Sequence, residues 1–243
     1  MDRVRTDSPI SATLVAWGNA WLAGHVGLDD ALDRVERDAG PQVVTDGVAE
    51  ITLRVFLMDL RREGLSAFRL SLPVPGDPLG LTGPPAFNGA AIDAGQAAVA
   101  VLPGRCAGLL PAVDRRGSSY SGILWTAAEA SPTPPDVPSL AEAERDLAAA
   151  MRAATDALTN VDGPAQGFPS IGDGEDTLAP GYPGRAHRVG ALASRLALAL
   201  RLADERGLTS GQVSVRGQAL RDLDRAVRRA RVAAHHAIVE SQV

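Results

Sequence analysis

Lysine is absent from this 243-residue chain, so all 24 basic residues are arginine. Cysteine occurs once, at Cys106, which excludes an intramolecular disulfide framework and a multi-cysteine zinc site. Aromatic residues make up only 4% of the chain, so much of any core must rest on small and aliphatic side chains. No apolar run approaches the ~18 to 20 uninterrupted residues that a membrane span needs. Met1 to Ser8 is short and polar and lacks the apolar stretch of a secretory signal. What is present is a 45% hydrophobic sequence with net charge −5, the composition of a globular protein that the cytoplasm would hold in soluble form. Abundant alanine and all-arginine basicity together suit a GC-rich genome, so an arginine cluster is a weaker functional signal here than elsewhere.

Charge is distributed unevenly. Residues 1–138 carry 11 Arg against 16 acids, whereas residues 139–243 carry 13 of each. The change falls at Ser131-Pro-Thr-Pro-Pro-Asp-Val-Pro138, which neither a helix nor a central strand accommodates, because proline lacks the amide donor and fixes φ. The expected organisation is an α+β domain over 1–130, a linker over 131–138 and a helical domain over 139–243, the two packed against each other.

In the first part, Ser8-Pro9 reads as an N-cap and first helical proline, followed by Leu14, Trp17 and Trp21 at helical spacing over about 9–24. A second helix is expected over 27–38, a short strand over 41–45, and a third helix through Ile51, Val55, Met58 and Leu60 to Gly64. Phe68, Leu70 and Leu72 alternate as a half-buried strand does. A short helix over 87–94, a buried strand over 97–102 and a hairpin of 107–114 with 120–128 complete a small mixed sheet, with helices expected on one face. The second part is expected to form an antiparallel three-helix bundle. Ser139 and Glu142 make a capping box ahead of a Leu147, Met151, Ala154, Leu158, Val161 stripe. A second helix runs over about 184–206. A third begins near a Thr209–Gln212 box and carries Leu220, Leu223, Val227, Ala230 and Ala234.

The run Arg69-Leu-Ser-Leu-Pro-Val-Pro-Gly-Asp-Pro-Leu-Gly-Leu81, followed by Phe87, Ala90-Ala91 and Asp93-Ala-Gly95, resembles a stretch shared by an uncharacterised family of actinobacterial proteins of similar length. Ala219 to Arg231 is similar to that family's C-terminal helix. The resemblance spans most of the chain and implies a lineage; it brings no activity with it.

Three places invite a chemical reading. The loop from Val74 to Pro85 is rich in glycine, and Gly76, Asp77 and Gly80, with Asn88 and Asp93 beyond, are the candidate small-molecule ligands. Against a phosphate cradle, no Lys or Arg follows, and Pro84-Pro85 removes two amide donors, so a proline-stiffened connection competes with it. The last helix carries Arg221, Arg225 and Arg228 at i, i+4 and i+7, one face suited to phosphates, to an acidic partner, or to internal pairing with the acidic first domain. The adjacent His235 and His236 point about 100° apart on a helix and read as a surface pair. Asp173, Glu175 and Asp176 share a loop but miss the EF-hand register, so no metal or other cofactor is expected. Cys106 reads as a small apolar residue at a strand start.

No catalytic constellation is recognisable. The leading expectation is a non-enzymatic cytoplasmic interaction or regulatory protein that binds a protein partner or itself, with no membrane and no nucleic acid. Two alternatives stand beside it: a small-molecule-binding enzyme using the 74–85 loop, and a nucleic-acid or anion-binding module using the last helix.

Overall fold

The computed structural model describes residues 8–116, 120–159, 178–205 and 214–240. The elements run α1 (Ile10–Leu22), α2 (Leu28–Ala39), β1 (Gln42–Thr45), β2 (Glu50–Thr52), α3 (Leu53–Arg62), β3 (Ala67–Ser71), α4 (Pro85–Ala94), β4 (Ala97–Leu102), β5 (Arg105–Arg116), β6 (Tyr120–Ala130), α5 (Leu140–Thr159), α6 (Gly184–Glu205) and α7 (Ser214–Glu240). The class is α+β. Among the described residues, no helix is long and apolar enough to cross a membrane.

Local chemistry accounts for most boundaries. The Ser139 hydroxyl accepts from the Glu142 amide at 3.3 Å, and Glu142 accepts from the Ser139 amide at 3.0 Å, closing the capping box at the start of α5. Gly95 ends α4 in the left-handed region that glycine enters freely. One boundary departs from expectation. The helix expected from Ile51 begins only at Leu53, because the Thr52 hydroxyl caps it by accepting from the Val55 amide. Residues 50–52 are thereby left extended, and they become the unanticipated strand β2. The α1 cap also shifts by one residue, to Pro9, and the Ser8 hydroxyl accepts from Arg231 instead. The expected stripe residue Val161 and the Thr209–Gln212 box lie outside the described residues, as do Asp173, Glu175 and Asp176.

The six strands form one sheet in the order β2-β1-β6-β5-β4-β3. Neighbours are antiparallel except β1 and β6, which run parallel, so the sheet is mixed. Helices cover both faces, not one as expected. On the first face Leu14 and Val15 of α1, Leu32 and Val35 of α2, and Leu53, Leu57 and Leu60 of α3 pack on Phe68, Leu70, Ala100, Leu109 and Trp125. On the second, Phe87 and Ala91 of α4 pack on Ala97, Val99, Cys106 and Ala130. Alternation along β4 explains the division: Ala98 and Ala100 point one way, Ala97 and Val99 the other.

A second core joins the halves of the chain. Ala16 and Ala20 of α1 pack with Leu147, Val189, Val227, Ala230, Ala233 and Ala234. Alanine at these positions lets helix axes come close. The three C-terminal helices meet through two seams, α5 with α7 and α6 with α7, while α5 and α6 touch only briefly. The core that a separate bundle would build among its own three helices is thus completed by α1, which is buried on both sides.

Candidate functional site

The two sequence candidates, the 74–85 loop and the arginine face of α7, meet. Val74 and Asp77 exchange backbone hydrogen bonds of 3.0 and 2.9 Å across Pro75-Gly76, a tight turn in which Gly76 takes φ 82°. The turn aims Asp77 at α7. Arg228 donates to one carboxylate oxygen of Asp77 at 3.1 Å, and Arg229 to the other at 3.0 Å. Arg225 stands 3.9 Å from the same carboxylate. Arg228 also donates to Asp224 at 3.0 Å and to the Leu72 carbonyl at 3.1 Å. Its side chain is 13% exposed and that of Asp77 8%, so this is a largely desolvated clamp. Arg221 takes no part: it is exposed and donates to Gln218.

The remaining candidates disperse. Gly80 sits against the Leu70 carbonyl and Ser71, in a close approach. The Asn88 side chain turns back to accept from the Gly83 amide at 3.0 Å. Asp93 is exposed on α4. The buried face of the loop goes into structure as well: Leu79 and Leu81 are buried, and the Leu79 carbonyl accepts from the Ser71 hydroxyl.

The clamp is one part of a longer seal along β3, the last strand of the sheet. Asn19 of α1 donates to the Phe68 carbonyl at 2.9 Å and accepts from the Phe68 amide at 2.7 Å, as a neighbouring strand would. His236 Nε2 accepts from the Leu70 amide at 2.9 Å. Arg228 takes the Leu72 carbonyl. Alternate residues of the edge are therefore satisfied by side chains from α1 and α7. Gly18 makes the approach possible, since a Cβ there would lie 2.8 Å from the Phe68 ring.

His235 and His236 are consequently buried, which corrects the expected surface pair. The seam's polar groups are held by their surroundings. Burial, with the nearby charges of His235 and Arg69, pushes the His236 imidazole down to about 3. Because Nε2 accepts, the neutral ring carries its proton on Nδ1. His235 Nδ1 lies 2.7 Å from the Arg231 carbonyl, and the Tyr182 hydroxyl donates to the His235 carbonyl at 3.1 Å. Burial pushes the Tyr182 phenol up, against an opposing hydrogen bond with Asn19. Sequence reasoning missed Asn19 and Tyr182. The available signal was Asn19 itself, the one amide in the otherwise apolar run of α1.

Elsewhere, an open cleft of about 480 Å3 is lined by Trp17, His25, Asp30, Asp33, Arg34 and Arg37. Its acids and arginines alternate one turn apart on α2, which mixes both signs along one wall. Cys106 is buried at the start of β5. Among the described residues, no three His, Cys, Asp or Glu side chains converge as metal ligands would.

At the opposite end of the sheet, among the described residues, β2 pairs only with β1. Val48, Ile51, Val55 and Met58 are 94%, 38%, 44% and 41% exposed, four of the six large apolar side chains exposed among the described residues. Val55 and Met58, three apart on α3, share its outer face, and Ile51 precedes them on the edge strand.

Two family models match the chain, Rv1486c-like protein, N-terminal domain, over residues 11–139 and Rv1486c-like protein, C-terminal domain, over residues 141–232. The chain belongs to the Rv1486c-like family. It is 30% identical over 191 residues to Rv1486c of Mycobacterium tuberculosis H37Rv and to MT1533 of strain CDC 1551, both described as uncharacterised proteins. The match covers 62% of this chain and 64% of each relative, so the chain spans just under two thirds of their length. No solved structure matches.

Proposed function

We propose that this Rv1486c-like chain is a non-enzymatic protein-interaction module that docks a partner along the β2–α3 edge. The observation that carries this reading is the exposed stripe Val48, Ile51, Val55 and Met58 beside a strand with one unpaired side. An unpaired edge favours an extended segment, whose main chain adds to the sheet while alternate apolar side chains rest on the neighbouring helix. In this reading Asp77, Arg228 and Arg229 are structural: the clamp ties α7 to the sheet and engages all three guanidinium nitrogens of Arg228. Against the enzyme alternative, Asp77 and Asn88 have separate partners and Asp93 is exposed on α4. The reading also treats residues 131–138 as the link between two packing units, supported by the proline content there.

A photo-crosslinking residue placed at Val55 tests the proposal in native lysate, with Arg221 as a control position on another surface. A discrete protein adduct at position 55 and not at 221 is the expected result. Identical adduct patterns at both positions would refute it.

A further inference from the structure

We infer that the partner at the β2–α3 edge is a second copy of this chain, docked about a two-fold axis so that the two β2 strands run antiparallel. The inference rests on the interaction reading above and deepens it by naming the occupant.

The charges at the two ends of the stripe carry the argument. At the hairpin end, the Asp46 carboxylate accepts from the Val48 and Ala49 amides at 2.9 and 3.1 Å. Those two amides hold it below the usual carboxylate range, so it is ionised. Among the described residues Asp46 has no cationic partner, and Glu50 beside it shares Arg116, at 2.7 Å, with Asp114 at 2.8 Å. The hairpin end thus carries an excess of negative charge. At the helix end, Arg62 is neutralised by Asp59 at 2.7 Å. Arg61 donates to the Leu65 carbonyl and lies over the Trp21 ring, with no carboxylate partner among the described residues. That end has one uncompensated positive charge.

A surface that is apolar along its middle, negative at one end and positive at the other is complementary to itself when reversed. A two-fold axis near Ile51 performs that reversal: it lays Asp46 of one copy towards Arg61 of the other, and apolar stripe against apolar stripe. A parallel arrangement would set like charge on like. The same axis lets β2 add to β2, so that two six-stranded sheets join edge to edge. Growth then stops. The far edge of each sheet, β3, has its backbone groups taken by Asn19, His236 and Arg228, so no further copy can add there.

Sedimentation velocity on the full chain, over a concentration series reaching the millimolar range, tests this directly. The expected result is a rise from the 25.2 kDa of one chain to twice that mass, with nothing larger. Val55→Asp with Met58→Asp should abolish the dimer while leaving the melting temperature unchanged. Asp46→Arg should weaken association several-fold, with the difference from wild type shrinking at high salt. A wild-type chain that stays monomeric throughout would overturn the second copy, while crosslinking at Val55 still judges the interaction reading. A dimer indifferent to all three substitutions would overturn the placement, and assembly beyond two would overturn the closure argument.

Discussion

The two edges of the sheet face the same hazard, a row of backbone groups ready to pair with another chain, and they meet it in opposite ways. At β3 the row is filled from outside the sheet: the Asn19 amide for Phe68, the His236 imidazole for Leu70, the Arg228 guanidinium for Leu72. At β2 no element among the described residues covers the free side, and the adjoining Val48 and Ile51 side chains are apolar and exposed. The difference shows where polar side chains are spent. Burying them is worthwhile only if each finds its partner, since an unmatched buried donor or acceptor costs about 1–3 kcal/mol. The sealed edge meets that condition at three successive alternate residues. The open edge avoids it by staying in water.

Removing the seal should therefore hurt far more than altering the open edge. Arg228→Met strands Asp77 with a single close partner and leaves the Leu72 carbonyl bare, and is expected to lower unfolding free energy by about 3 kcal/mol in urea titration. A change below that of an exposed pair, ~0.5 kcal/mol, would show that the clamp is solvated after all. Next comes Asn19→Ala, which orphans both backbone groups of Phe68 and should cost about 2–3 kcal/mol, with faster amide exchange at Phe68.

His236 sharpens the contrast through pH. Its folded pKa is depressed to about 3 from an ordinary 6.5, so between those values the unfolded chain binds the extra proton. Stability is full above pH 6.5 and falls as the solution is acidified, with a slope approaching ~1.4 kcal/mol per pH unit from this group. His236→Ala should be less stable at pH 7.5 and should lose that part of the slope between pH 6.5 and 4.5. Parallel pH profiles for the two proteins would contradict the burial.

The smallest effects belong to the exposed surfaces. Met58→Gln on the outer face of α3 and Arg221→Gln on α7 should each change stability by no more than about 0.5 kcal/mol. Leu57→Ala, one residue from Met58 but buried, should cost ~3 kcal/mol. Equal costs at positions 57 and 58 would mean that the stripe is not the solvent face it is taken to be.

Much of this was legible beforehand, and the parts that were not share a cause. Alternation at Phe68, Leu70 and Leu72 identified β3, and the Ser139–Glu142 box located the start of α5, because both signals are written in neighbouring residues. Strand β2 was missed because Ile51, Val55 and Met58 keep helical spacing. Their spacing is real, but they form the exposed stripe, and Thr52 interrupts the helix beneath them. Because adjacent helix positions point about 100° apart and suit no shared ligand, His235 and His236 read as a surface pair. Nothing local reveals that a sheet edge lies against it. For the candidate site, the sequence offers internal pairing of the α7 arginines with the acidic first domain as one alternative, but nothing local singles out Asp77 as the partner.

The sequence by itself determined the local structure of this protein: which segments coil, which extend, and where caps, prolines and glycines stop them. Those outcomes depend on interactions spanning a turn or two, which one short stretch of chain contains. The tertiary structure alone decided that Asp77 would be neutralised by arginines 151 and 152 residues away, and that the Leu70 amide would be received by a histidine 166 residues distant. Such partners are chosen by the packing of alanine-lined helices that brings them together. A charge or a hydrogen-bonding group far along the chain carries no mark of what it will meet until that packing has placed it.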